Sequence, residues 1–439
     1  MAENQAWQTR LTQAVGRCFG RPHDPQAGPV WASAEHVYLF DVEGKKYLDF
    51  RCGYSAINFG HTPDRLIKAA ERQMRYLSQL TQLPSTAMIE FAEELLAFLG
   101  WQAGLGKVLF NVSGARAVET ALKIALRKQP GAIVCFEFGY HGRSLATQPF
   151  SDAATFSVDY PWPGIWNGPI YRFPYPSDAA SVQETVAWHD VLQHIDDQLS
   201  RCDVPLSAVL VEPMLGARGY IAPPNVFFQE LRALAHRFGG LIIADEIQVG
   251  LGRGGGRLMS HTQGWQPDLV VLGKSLGGGL VPISAVVGTA ELIDSLPNGS
   301  ESETFAAHPL ACAIGSAALR WLTEIESVLP SVGETLRAIF RDIQARWNLP
   351  VEIQGRGVVA VLDWRDGWPN STEANGALSE VARTVSLLAT ECLKEGLLLH
   401  PSGPSGNRMV FLPPLTVTAE QLAEAGHKFE AALANLLRK

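Results

Sequence analysis

From Lys107 onward, short apolar runs alternate with stretches of helical period. KVLFNV at 107, AIVCF at 132, AVLVE at 208, LIIADEI at 241, DLVVLG at 268 and SAVVG at 284 read as strands, and IYRF at 170 as a weaker seventh. Between them Ala117–Lys128 and Asn225–Phe238 read as helices, the second closed by Gly239-Gly240. Nearly continuous apolar strands separated by helices predict a parallel sheet covered on both faces. Ligands bind such sheets beyond the carboxyl ends of the strands. The flanks read differently. Residues 1–30 look irregular, Val37–Phe50 predicts a hairpin turning at Glu43-Gly44, and helices follow near Pro63–Leu80 and Ser85–Leu99. After Pro309 come helices at Leu310–Ile325 and Val332–Trp347, a β region at 351–364, and a helix at Ser379–Glu395. The strand MVFLPPL and a last helix opened by the capping box Thr418-x-x-Gln421 complete the pattern. The reading is an α/β unit over 50–305, with 306–439 and the segment 1–49 forming a smaller α+β unit.

Composition narrows the function. Apolar residues make up 46% of the 439 positions and charged residues 18%, which excludes a disordered chain. With 36 basic against 44 acidic residues the net charge is −8, which argues against nucleic acid or an anionic membrane as partner. The six cysteines form no Cys-x-x-Cys pair, so zinc ribbons and redox motifs are excluded, and no metal site is expected. The N-terminus lacks an apolar core of signal-peptide length and no run reaches a membrane span, so the expectation is a cytoplasmic enzyme.

Four features sit at predicted strand ends. Asn111-Val112-Ser113-Gly114-Ala115 precedes a strong helix. Free backbone N–H groups there make either an anion site or an ordinary capped turn. Asp245-Glu246-Ile247-Gln248 follows LIIA. An acid leaving an apolar strand needs a cation or donors, and reads as a metal carboxylate, a partner for a protonated heterocycle, or a structural acid. Lys274 leaves another apolar strand into the glycine-rich Gly273–Gly279. Partial burial lowers an amine pKa there, as a Schiff-base lysine requires; the plain alternative is a surface lysine on a loop. Glu137-Phe138-Gly139-Tyr140-His141-Gly142 places aromatics at a strand exit, either as a wall for a flat ring or as packing under a loop.

Two nucleotide-binding readings fail. Gly250-x-Gly252-x-x-Gly255 matches a dinucleotide string but does not open directly from a strand into a helix. Gly273-Lys274-Ser275 ends like an ATPase phosphate loop, yet the required first glycine is Asp268.

Together the features resemble the class III (omega-type) aminotransferases of the pyridoxal phosphate fold type I superfamily. The matching strings run in order from Tyr47 to the C-terminus: YLDFRCGYSAINFGHTP, NVSGARAVETALKIALR, FEFGYHGRS, VEPMLGARGYIAPP, ADEIQVGLGRGG, LGKSLGGG, TFAAHPLACA, GRGVVAVL and FLPPLTVT. The resemblance implies a large α/β domain with a mostly parallel seven-stranded sheet, a smaller α+β domain, pyridoxal 5'-phosphate as cofactor, and a homodimer with active sites at its interface. By position, Lys274 matches the lysine that carries the cofactor as an aldimine and shuttles the proton, and Asp245 the acid facing the pyridine nitrogen. Gln248 matches the residue near the phenolic oxygen, and Tyr140 the stacked aromatic. Ser113, Gly114 and Ala115 match the phosphate loop, Glu212 a supporting acid, and Thr304 a phosphate contact from the neighbouring subunit. The implied reaction is ping-pong transfer of an amino group from an amine or amino acid to a keto acid. The same residues also support an aminomutase, racemase, decarboxylase or lyase. Outside this family, a nucleotide-binding α/β enzyme and a non-catalytic scaffold are the rival classes.

The chain departs from the family pattern near the substrate. Gly216-Ala217-Arg218-Gly219 replaces a loop that usually carries Glu, Val410 stands where many relatives have a carboxylate-binding Arg, and Arg116 replaces a Glu. Loss of both members of a pair avoids stranding a buried charge. Either the substrate lacks a carboxylate near its reacting carbon, or one of Arg116, Arg218 and Arg408 receives the anion; packing roles for each are the simpler alternative.

Overall fold

The computed structural model describes residues 2–16, 28–152, 168–177, 187–364, 380–403 and 405–438. Its largest sheet has seven strands in the order Gly106–Asn111, Ser284–Thr289, Leu269–Leu272, Leu241–Asp245, Leu206–Val211, Ala132–Phe136, Ile170–Phe173. The weak run at 170 is thus a strand, paired in parallel with Ala132–Phe136.

Continuous apolar sequence is explained by burial of both faces. Leu241 and Ile243 turn to one side with Ala208, Leu210, Leu269 and Val271, under the helix Gly114–Lys128. Ile242 and Ala244 turn to the other, with Val209 and Val211, against the helices Trp188–Ser200 and Asn225–Arg237. Further along that side Val270, Leu272, Ala285 and Val287 pack against the helices Asp64–Met74, Thr86–Phe98 and Pro309–Ile325. Side chains two apart share a face, so each strand feeds two cores.

One strand is the antiparallel exception in the mostly parallel sheet, and two expectations change. Ser284–Thr289 runs antiparallel to both neighbours. Only the short turn Lys274–Gly277 and a loop separate it from Leu269–Leu272, and a parallel return needs a crossover of a dozen or more residues. Ala2–Ala14 is a helix rather than irregular chain. It docks through polar groups, with Gln8 donating to Gly28 O at 2.9 Å and Asn4 Oδ1 accepting from Val30 N at 2.7 Å, so it leaves no apolar stripe to read. The helix expected to reach Leu80 stops at Met74.

The smaller core joins both ends of the chain. Trp31–Glu35, Tyr38–Asp41 and Lys46–Asp49 form an antiparallel meander to which Leu397–Leu398 adds in parallel. Val351–Gln354, Ala360–Trp364, Arg408–Phe411 and His400–Ser402 form a second antiparallel sheet. Val37, Leu48 and Phe50 share one apolar cluster with Phe340, Trp364, Phe411 and Phe429, closed by the helices Leu329–Trp347, Glu380–Lys394 and Ala419–Leu437. Thr418 caps the last helix in the expected box with Gln421; Ser379, the expected start of the preceding helix, lies outside the described residues.

Candidate active site

The parallel strands deliver Asn111, Phe136, Val211, Asp245 and Leu272 to one edge of the large sheet, and the loops after them enclose a cavity of about 320 Å³. Gly114, Ala115, Tyr140, Glu212, Asp245, Gln248 and Lys274 line it, together with His141, Gly142, Arg143 and Ile247. Residues 160 positions apart in sequence converge because every one of them follows a strand end.

The loop after Gly106–Asn111 meets the loop after Ala132–Phe136 closely. A Cβ at Gly114 would lie 2.8 Å from Ile247 Cδ1, and one at Gly142, where φ is +121°, would lie 2.7 Å from Ala115 Cβ. Only glycine permits that approach. Ser113 is the N-cap of Gly114–Lys128: its hydroxyl accepts from Arg116 N, while its carbonyl accepts from Ser284 Oγ at 2.7 Å. Ser113 itself is exposed beside the cavity rather than lining it. Thr304 also lies outside the cavity; it is exposed, and its carbonyl accepts from Gln79 Nε2.

Asp245 is 3% exposed. Its Oδ2 meets His141 Nδ1 at 2.8 Å and its Oδ1 accepts from Ile247 N at 3.1 Å. The adjacent Glu246 turns away from the cavity and accepts from Met259 N and Ser260 N at 2.9 and 2.7 Å. Burial pushes the Glu246 carboxyl up to about 7. Glu212 accepts from Tyr140 N at 2.8 Å and Gly216 N at 3.1 Å, so one carboxylate ties together the loops that carry Tyr140 and Arg218. Burial raises Glu212 to about 7, with the charge of Asp245 adding to the effect and His141 opposing it. Gln248 donates to Tyr220 Oη at 2.8 Å.

Lys274 opens a 3₁₀ turn with φ of +45°, a left-handed conformation uncommon outside glycine that stores strain at functional sites. Among the described residues no hydrogen bond or ion pair engages its amine. The protein packed around it lowers its pKa, opposed by the charges of Asp245 and Glu212. The cavity therefore offers a buried amine of lowered pKa, a carboxylate fixed by an imidazole, an aromatic ring and a helix N-terminus, which is a donor set suited to a flat, phosphorylated, electrophilic heterocycle.

The chain matches the model of the family described as aminotransferase class-III over residues 22–433. It is 33% identical to the 5-aminovalerate aminotransferase DavT of Pseudomonas aeruginosa over 95% of this chain and 96% of that protein. It is 30% identical to the 4-aminobutyrate aminotransferase GabT of Escherichia coli over 97% of each. An amine transaminase from an uncultivated Pseudomonas species, solved in its pyridoxal-phosphate-bound form, superposes with a TM-score of 0.83 at 25% identity over 96% of this chain and 98% of that one.

The chain belongs to the class-III aminotransferases.

As a member of this family it is a fold type I, pyridoxal-phosphate-dependent transferase. Among the described residues no helix is long and apolar enough to cross a membrane. Two of the three arginines left open by the aminotransferase resemblance are occupied. Arg116 is ion-paired with Glu119, Glu301 and Glu303 at 3.2, 3.2 and 2.5 Å. Arg408, 1% exposed, pairs with Asp363 at 2.6 Å and donates to Gly219 O. Val410 sits in an apolar cluster with Met214, Tyr220 and Val361. Sequence reasoning gave no role to His141 or Arg143. The signal for His141 was present: a buried acid at a strand end requires a donor, and His141 stands next to Tyr140 at another strand end.

Proposed function

We propose that this aminotransferase moves an amino group from an ω-amino acid or a terminal amine to a keto acid, in two half-reactions at the cavity of Lys274. The observation that carries the reading is a single one: the amine of Lys274, free of ion pairs among the described residues, shares a cavity with Asp245, which is itself held by His141. Relatives named for 5-aminovalerate and 4-aminobutyrate support the ω-amino substrate class.

The residues divide the work as follows. When bound, pyridoxal phosphate delocalises the electron pair left on the substrate carbon after its proton departs. Lys274 would hold the cofactor through its amine, and burial, by lowering that amine's pKa, favours its use as a proton carrier at the substrate carbon. Asp245, its orientation fixed by the His141 hydrogen bond, would pair with the ring nitrogen. Tyr140 would pack against the ring, and Gln248, oriented by Tyr220, would serve the phenolic oxygen. Gly114 and Ala115, with Ser113 capping the helix, would hold the phosphate through free backbone N–H groups. Glu212 fixes the loops of Tyr140 and Gly216. Thr304 completes the phosphate site of a second subunit, which makes the working form a homodimer. Arg143 lines the cavity with its guanidinium carbon 5.7 Å from the Tyr140 ring centre. The protein acts in the cytoplasm. Residues 50–305 form the cofactor domain, and 1–49 with 306–439 the smaller one, linked by Pro309–Ile325, whose buried face packs under the large sheet.

The test is a single-turnover experiment. Cofactor-loaded protein mixed with 5-aminopentanoate or 4-aminobutyrate should lose its visible absorbance band, and a keto acid should restore it. A band that no amine changes would remove the transamination reading.

A further inference from the structure

Resting on the proposed function, we propose that Arg218 is a specificity-determining residue that receives the carboxylate of the amino donor or keto acceptor.

The argument begins with elimination. Arg116 spends its guanidinium on three carboxylates and Arg408 on Asp363. Arg218 has no such partner: among the described residues no carboxylate lies within ion-pair distance, Asp152 acting on it only as a more distant opposite charge, and its buried Nε has no hydrogen-bond acceptor. A half-buried guanidinium with an orphan donor is a costly arrangement that an incoming anion relieves.

Position supplies the second line. Glu212 accepts from Tyr140 N and Gly216 N, so its carboxylate fastens two loops beside the cavity. Two residues from each fastening point stand Phe138 and Arg218, and the Arg218 guanidinium carbon lies 5.4 Å from the Phe138 ring centre. Two residues of chain span at most about 7 Å, which keeps the Arg218 backbone near the cavity although Arg218 is not one of its lining residues. Phe138 has φ of +64°, a conformation an aromatic residue adopts only under constraint, and its N–H is held by Asp152 Oδ2 at 2.9 Å. The ring is thus a fixed platform beneath the guanidinium. The loop is also pinned from the smaller unit, by Ser402 Oγ on Ala217 O at 3.4 Å and by Arg408 on Gly219 O at 3.2 Å. Gly219, with φ of +92°, has Arg408 Cδ only 2.7 Å from where a Cβ would stand. A cation stacked on an aromatic face, with its guanidinium unbonded among the described residues and its backbone anchored, is prepared for bidentate binding of a carboxylate.

The experiment compares wild-type and Arg218→Gln proteins, both cofactor-loaded, on 5-aminopentanoate and on n-pentylamine, which lacks the carboxylate. The ratio of kcat/KM for the amino acid to that for the amine should fall about tenfold or more, and Arg218→Lys should recover part of it. Calorimetric binding of glutarate, a carboxylate that cannot transaminate, should weaken by a similar factor. An unchanged ratio with unchanged glutarate affinity, or equal losses on both amines, overturns the assignment. Half-reactions with keto acids distinguish an acceptor role from a donor role. Should wild-type protein process neither amine, the functional reading fails, and glutarate binding alone then decides whether Arg218 is an anion site.

Discussion

Two groups of buried charge in this protein are treated in opposite ways. Arg253, fully buried at the junction of the two units, donates to Ser55 Oγ, Val358 O, Pro413 O and Asn58 Oδ1, and Arg408 is matched to Asp363. In the cavity, by contrast, Lys274 has no hydrogen bond or ion pair among the described residues, and burial lowers its pKa. Charges that hold units together are saturated with partners. The one amine in the cavity is left without a partner, so burial acts on its pKa with only the charges of Asp245 and Glu212 opposing it.

The largest expected effect follows from this contrast. Lys274→Ala should lower transamination by ~10⁴-fold or more while leaving the thermal stability of the cofactor-free protein unchanged or slightly raised, because a buried amine without a partner is removed. A parallel loss of melting temperature would place Lys274 with the structural charges and break the contrast. Arg408→Ala should do the reverse. It strands Asp363 and costs ~3–5 kcal/mol in denaturant unfolding, with a smaller loss of turnover in the folded fraction because Arg408 also pins Gly219 beside Arg218. A double replacement of Arg408 and Asp363 by apolar residues should recover most of that loss.

Titration sharpens the comparison. Glu246 rises from 4.5 to about 7 in the folded chain, so the folded state binds more protons than the unfolded state between those values. Its stabilising contribution is therefore full below about 4.5 and lost as pH rises through 7, by ~3 kcal/mol at most. Urea midpoints taken from pH 5 to 8 should fall for the wild type and fall less for Glu246→Gln. An equal slope in both would assign the pH dependence elsewhere. The smallest effect is expected at Ser113, whose replacement by alanine removes the cap of Gly114–Lys128 and costs ~1 kcal/mol; a comparable loss is expected for Thr418→Ala at the last helix.

What the sequence disclosed tracks how local each cause is. Lys274 and Asp245 were legible because each follows an apolar run whose end is a strand terminus, and strand ends of such sheets converge. The pairing of His141 with Asp245 was not, since it joins residues 104 positions apart through a hydrogen bond that leaves no periodic trace. The same holds for Arg116, whose partners Glu301 and Glu303 lie 185 and 187 positions along the chain, and for Arg408, whose partner is fixed only by the register that sets Asp363 opposite it. The helix Ala2–Ala14 was missed because polar contacts hold it. The direction of Ser284–Thr289 depends on a connection too short to cross over, a property of chain length rather than of the apolar strand itself.

The central claim is that one amine, that of Lys274, carries the cofactor. Borohydride reduction of cofactor-loaded protein followed by peptide mass spectrometry tests it most directly. The account predicts a single phosphopyridoxyl adduct on the peptide containing Lys274, absent from Lys274→Ala. An adduct confined to another lysine, or none on protein that still transaminates, would contradict it.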